Sequence, residues 1–124
     1  MSRLCPNFKL WVYSTEDDGV FGDGKVRLLN AIDERGSLRE AAASLQISYR
    51  KAWGDLKKAE GCLRVKLVEK SRGGAGGGQT SLTPEGKRLI TAYARFRQEA
   101  DTGVARAFDE FVKELKNTDQ LIVT

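Results

Sequence analysis

Ser48, Tyr49, Arg50 and Lys51 follow one another where a helix is expected to begin. A hydroxyl, a phenol, a guanidinium and an ammonium in one short row are groups that bond anions and base edges. Cations at a helix N-terminus oppose the macrodipole, at a cost of roughly 0.3 to 1 kcal/mol each. Nothing in the stability of the helix itself calls for Arg50 and Lys51 there, whereas an external polyanion would reverse the balance. The leading turn of a recognition helix is the part that enters a DNA major groove. In that setting Arg50 can fork onto guanine O6 and N7, and Lys51 can reach a guanine or a phosphate. Tyr49 and Ser48 can bond base edges or backbone oxygens. Lys57 and Lys58, two turns later, are placed for phosphates on the groove wall.

A second candidate is the stretch SRGGAGGGQTSLTP, residues 71–84. Gly73, four residues, Gly78, Gln79 and Thr80 match the nucleotide phosphate loop G-x-x-x-x-G-K-[ST] except at the lysine. That lysine neutralises the β and γ phosphates, and glutamine carries no charge to do so. A phosphate loop must also open a helix, whereas here a strand-like TSLT follows the glycines. The glycines fit better as the tip of a hairpin laid against a duplex. There Gly73, Gly74, Gly76, Gly77 and Gly78 allow close approach and offer amides to phosphates, and Lys70 and Arg72 stand at the base with matching charge.

The elements that must hold these groups are legible from spacing. Phe8–Ser14 alternates apolar and polar residues and predicts a strand. Val26, Leu28, Leu29 and Ile32 form an apolar stripe on a helix over about Lys25–Arg35, ended by Gly36. Ser37 and Glu40 make a capping box that starts a second helix, with Leu38, Ala41, Ala42 and Leu45 facing inward. After Gln46 and Ile47, Ser48 caps a third helix whose inner side is read as Ala52, Trp53, Leu56 and Ala59, with Trp53 mainly core. Two short helices across so tight a turn are the layout of a helix-turn-helix, over about residues 37–61.

VKLVEK (65–70) and QTSLT (79–83) are the two strands of the hairpin, a wing over about 65–83. Thr83 and Pro84 then announce a helix by cap and first-position proline. Leu89, Tyr93, Phe96, Ala100, Val104, Phe108, Phe111 and Leu115 recur at spacings of three and four. This predicts a helix over about 84–116, or one broken near Thr102 and Gly103, whose apolar ladder needs a partner.

Composition narrows the classes. A chain of 124 residues, 40% hydrophobic and 31% charged, fits one globular domain. No apolar run approaches a membrane span and the N-terminus lacks the core of a signal peptide, so a cytoplasmic protein is expected. Histidine is absent, and Cys5 and Cys62 match no metal-ligand spacing. No metal, cofactor or enzymatic activity is therefore expected. Of the net charge of +4, residues 48–88 hold ten Lys or Arg against four Asp or Glu, so the positive excess lies in the segment with the candidate site.

GKVRLLNAIDERGSLREAAASLQISYRKAWGDLKKAE, followed by LVEKSRGGAGGGQTSLTPEGKRLI, resembles the winged helix-turn-helix domain of ModE-type, molybdate-responsive transcriptional regulators, and more distantly the LysR-type regulators. The resemblance runs over residues 24–93, and is carried by the GS-L-x-x-AA motif, ISYRKAW, LVEK with its glycine tip, and LTPEG. It implies an α+β fold with a short antiparallel sheet and a long C-terminal dimerisation helix, binding double-stranded DNA as a homodimer. Carried over by position, it assigns readout to Ser48, Tyr49, Arg50 and Lys51, and wing contacts to Lys70, Arg72 and the glycines among 73–78. ModE-type regulators continue into oxyanion-sensing domains that this chain does not include, so no molybdate site is expected in it. The competing expectation is a winged-helix module whose basic face binds an acidic protein, since fold does not fix function.

Overall fold

The computed structural model describes residues 3–16, 20–71 and 79–117, and the chain divides into two units. One unit is Lys9–Tyr93; the other joins the chain up to Phe8 with the chain from Ala94. The first contains β1 (Trp11–Val12), β2 (Phe21–Gly22), α1 (Asp23–Arg35), α2 (Leu38–Ser44), α3 (Tyr49–Leu63), β3 (Val68–Ser71) and β4 (Gln79–Leu82). Helix α4 (Pro84–Lys116) begins in the first unit and continues into the second.

The expected first strand is shorter than its alternation suggests. Among the described residues only Trp11 and Val12 pair, with Gly22 and Phe21, and the partner strand ends where α1 begins. Helix α1 starts at Asp23, whose carboxylate accepts the Leu10 amide at 3.2 Å and the Tyr93 hydroxyl. Tyr93 meets Phe21 edge-on, with ring centroids 5.3 Å apart. At the other end Gly36 takes φ 69°, a left-handed cap that returns its amide to the Ile32 carbonyl at 2.8 Å.

Ser37 accepts the Glu40 amide at 3.1 Å, so the serine half of the capping box forms; among the described residues the Ser37 amide makes no return bond to the Glu40 carboxylate. Ser48 accepts the Lys51 amide at 3.0 Å and starts α3. Between the two helices Gln46 sits at φ 59° and the Ile47 amide returns to Ala42 at 3.1 Å. Buried Ala41, Ala42, Ala52 and Ala59 have no bulk to hold the helices apart. Around them Leu28, Leu29, Ile32 and Leu67 are fully buried, each removing a side chain from water for roughly 1.5 to 3 kcal/mol.

The hairpin pairs Val68 with Leu82 and Lys70 with Thr80. On β4, Thr80 and Leu82 point into the core while Gln79 and Ser81 face water. The run expected as a strand from Val65 joins the ladder only at Val68, because Leu67 bonds elsewhere: its amide to Glu60 and its carbonyl to the Thr83 amide. The Thr80 amide donates to the Gly36 carbonyl at 2.9 Å and ties the hairpin to the α1–α2 turn. Thr83 caps α4 through its hydroxyl, 3.0 Å from the Gly86 amide. Three helices and a hairpin in this order form a winged helix-turn-helix of the α+β class, with the small β1–β2 pair added.

In the second unit α4 runs unbroken through Thr102 and Gly103. The Thr102 hydroxyl donates to the Gln98 carbonyl at 3.1 Å, and one glycine costs a long helix only about 1 kcal/mol. The Arg97 guanidinium lies 4.2 Å from the centroid of the Phe8 ring and pairs with Asp101 at 3.2 Å.

Candidate functional site

The first turn of α3 presents Arg50 and Lys51 to water, with Tyr49 half-buried between them and the core. Ser48 spends its oxygen lone pair on the Lys51 amide, which makes it first a cap and leaves its proton for an outside acceptor. Arg50 is exposed and forms no ion pair among the described residues. Lys51 does have a partner: its ammonium lies 3.2 Å from Asp55, one turn on. An exposed pair of this spacing contributes a few tenths of a kcal/mol, no more than the dipole takes away, so stability alone still leaves the cation unexplained.

Tyr49 also has a neighbour that the sequence did not reveal. The Arg39 guanidinium, from the first turn of α2, sits 4.6 Å from the centroid of its ring. Arg39, Tyr49, Lys70 and Gln79 line one depression of about 280 Å³, which also takes in Ser37 and Thr80. The expected wing residue Lys70 is thus brought beside the expected helix residue Tyr49, and Arg39 joins them. The signal was present, since Arg39 is a cation in the first turn of a helix just as Arg50 is. Arg72, Gly73, Gly74, Gly76, Gly77 and Gly78 lie outside the described residues.

Farther along α3, Lys57 pairs with Glu60 at 3.6 Å and lies 4.6 Å over the Trp53 ring. The expectation that Trp53 belongs to the core is wrong: it is 41% exposed. Ala52, Leu56 and Ala59 already fill the stripe at i, i+4 and i+7, and Trp53 is rotated from it by about 100°. Its indole, with Leu38, Leu56 and Val68, lines a cleft of about 540 Å³ between α3 and the wing. Glu60 also lines this cleft. It is buried and accepts the amides of Leu67 at 2.7 Å and Val68 at 3.3 Å.

On the other side of α3, Lys58 and Lys51 share a hollow with Lys9, Lys25, Arg27 and Asp55. The Lys25 ammonium donates to the Val20 carbonyl at 2.8 Å. Burial holds its pKa below the ordinary lysine value; Asp55 and Cys62 oppose that shift, while Lys58 and Lys51 add to it. The site is therefore a basic surface in three parts: the α3 tip with Arg39 and Lys70, the cleft with Lys57, and this hollow. Among the described residues no cluster of His, Cys, Asp or Glu is able to hold a metal ion, and no helix is long and apolar enough to cross a membrane.

Residues 24–87 match the family described as bacterial regulatory helix-turn-helix protein, lysR family. The chain is 36% identical over 94 residues to the molybdenum-pterin-binding protein MopB of Rhodobacter capsulatus, covering 76% of this chain and 33% of that protein. It is 37% identical over 85 residues to the DNA-binding transcriptional dual regulator ModE of Escherichia coli K12, covering 65% of this chain and 32% of that one. The matched part spans about a third of the length of these curated relatives. Among solved structures, the CbnR DNA-binding-domain complex with DNA superposes with a TM-score of 0.56 at 23% identity, over 70% of this chain and 94% of that chain. The BenM DNA-binding domain with benA site 1 DNA gives 0.52 at 23% identity, over 69% and 91%. At such identities the likeness concerns the fold.

Proposed function

The chain belongs to the LysR family of bacterial regulatory helix-turn-helix proteins, and from that premise we propose that it is a transcriptional regulator of ModE type that binds double-stranded DNA through α3 and the wing. One observation carries the proposal: Arg50 stands exposed and without an ion pair among the described residues at the tip of α3, next in the chain to Lys51, while its other neighbour Tyr49 shares a depression with Arg39 and Lys70. A guanidinium so placed fits the O6 and N7 edge of a guanine in the major groove. Lys51, Lys57, Lys58 and Lys70 then serve as phosphate contacts that fix position without reading sequence. Arg72 and the glycines from Gly73 to Gly78 extend the wing contact on sequence grounds. The protein acts by binding in the cytoplasm, where a bacterial chromosome is reached.

The chain works as a homodimer in this proposal. Support comes from α4, on which Phe111 is 51% exposed while Val104, Phe108, Val112 and Leu115 are half-buried at spacings of three and four. An apolar ladder of this kind is ordinarily closed by another helix, and a second copy supplies one. Two-fold symmetry gives an inverted-repeat site with half-sites one or two helical turns apart.

Selecting bound duplexes from a random pool and sequencing them tests the proposal. Enrichment of an inverted repeat with a guanine in each half is expected. A pool that stays random after repeated selection contradicts sequence-specific binding, and retention of an acidic protein instead returns the basic face to the interaction-module alternative.

A further inference from the structure

The exposed indole of Trp53, with the Lys57 ammonium 4.6 Å from its ring centroid, takes no part in the DNA contacts proposed above. It lines the α3–wing cleft with the apolar side chains of Leu38, Leu56 and Val68, and Lys57, Lys66 and Lys70 line the same cleft. Of the two acids on the same walls, Glu60 is engaged by the Leu67 and Val68 amides and by Lys57; the other, Glu69, is exposed. An apolar face between ammonium groups matches a ligand with C–H surface and anionic groups in regular alternation. A sugar–phosphate strand has that pattern, with a deoxyribose between each pair of phosphates.

We infer that the cleft between α3 and the wing seats one backbone strand of a duplex, the Trp53 indole packing against a deoxyribose and Lys57 and Lys70 meeting the phosphates on either side. The inference rests on α3 being a DNA-reading helix and adds a contact that is independent of sequence. Where α3 enters the major groove and the wing lies outside it, the strand bordering that groove has to pass between the two. Trp53 then sets the depth at which α3 sits, because a flat ring stops the sugar at van der Waals contact whatever the base.

The test uses the 124-residue chain carrying Trp11→Phe, which leaves Trp53 as the single indole. Acrylamide quenching of its fluorescence is followed during titration with a mixed-sequence duplex of about three helical turns in dilute salt. Saturation is expected to lower the quenching constant severalfold. Trp53→Ser is expected to weaken binding about tenfold for every duplex. Its dependence of log affinity on log salt should be unchanged, because no charge is removed, whereas Lys57→Gln and Lys70→Gln each reduce that slope by about 0.9. Trp53→Phe, which keeps an apolar ring, restores most of the affinity.

Two results overturn the inference in distinguishable ways. If the duplex binds with its full salt dependence while Trp53 stays as accessible to acrylamide as in the free protein, the clamp is wrong and the DNA-reading helix stands. If the parent chain retains no duplex in dilute salt, both fall together.

Discussion

The carboxylate of Glu60, buried at the inner edge of α3, accepts the Leu67 amide at 2.7 Å just before the wing begins. The same oxygen receives the Val68 amide at 3.3 Å, so one side chain couples the helix that carries Arg50 to the strand that carries Lys70. Leu67 precedes the hairpin ladder and Val68 is its first residue, and removal of the carboxylate leaves the buried Leu67 amide without its acceptor. Glu60→Ala is expected to cost about 1 to 3 kcal/mol, read as a lower midpoint in urea unfolding. Glu60→Gln keeps an acceptor oxygen and should lose less; equal losses in the two variants would show that the amide contacts are not what Glu60 supplies.

Gly86 and Gly54 should respond oppositely to alanine. A Cβ at Gly86 would collide with the Leu67 carbonyl oxygen, a backbone atom held by the Thr83 amide. At Gly54, inside α3, a Cβ meets nothing within 4 Å. Gly86→Ala is expected to destabilise by about 1 to 3 kcal/mol, and Gly54→Ala to stabilise by about 0.5 to 1 kcal/mol. Thermal unfolding of both variants checks the pair of signs.

Arg50→Ala is expected to cost about 1 to 3 kcal/mol on the selected site and to relax preference at one base position. Lys51→Ala should cost less, because Asp55 already compensates that ammonium at 3.2 Å, and its loss should be alike on all sequences. Competition binding with single-base variants of the site measures both. A uniform loss for Arg50→Ala would move that residue to a phosphate.

The α4 ladder gives a prediction about assembly. Phe108 and Phe111 lie with ring centroids 5.9 Å apart on its C-terminal half. Phe108→Glu is expected to shift a dimer to a monomer in sedimentation equilibrium at micromolar concentration, since it places a charge in a desolvated seam. A parent chain that is already monomeric there contradicts the proposed homodimer.

What the sequence disclosed and what it hid divide along the range of the interactions. Ser37, Ser48 and Thr83 each cap a helix within three residues of themselves, so the starts of α2, α3 and α4 were readable in chain order. Alternation on Gln79–Leu82 was readable for the same local reason. Trp53 was misassigned because apolar character was taken for inward direction, while the small side chains of Ala52 and Ala59 had already let neighbouring elements close over that stripe. Glu60 carries no local signal in the sequence, because its role depends on Leu67 across the turn that ends α3. The two-residue β2 carries no periodicity at all; it exists because Val12 and Trp11 come back to meet it. Arg39 reached Tyr49 only through the crossing of α2 and α3.

Fluorescence anisotropy of a labelled mixed-sequence duplex, titrated with the protein at a series of salt concentrations, bears most directly on the claim that the exposed cations of α3 and the wing face a nucleic acid. With Lys51, Lys57, Lys58 and Lys70 on phosphates, log affinity should fall linearly against log salt with a slope near −3.6, at about −0.9 per phosphate. Absence of any anisotropy change in dilute buffer, or an affinity indifferent to salt, would contradict it.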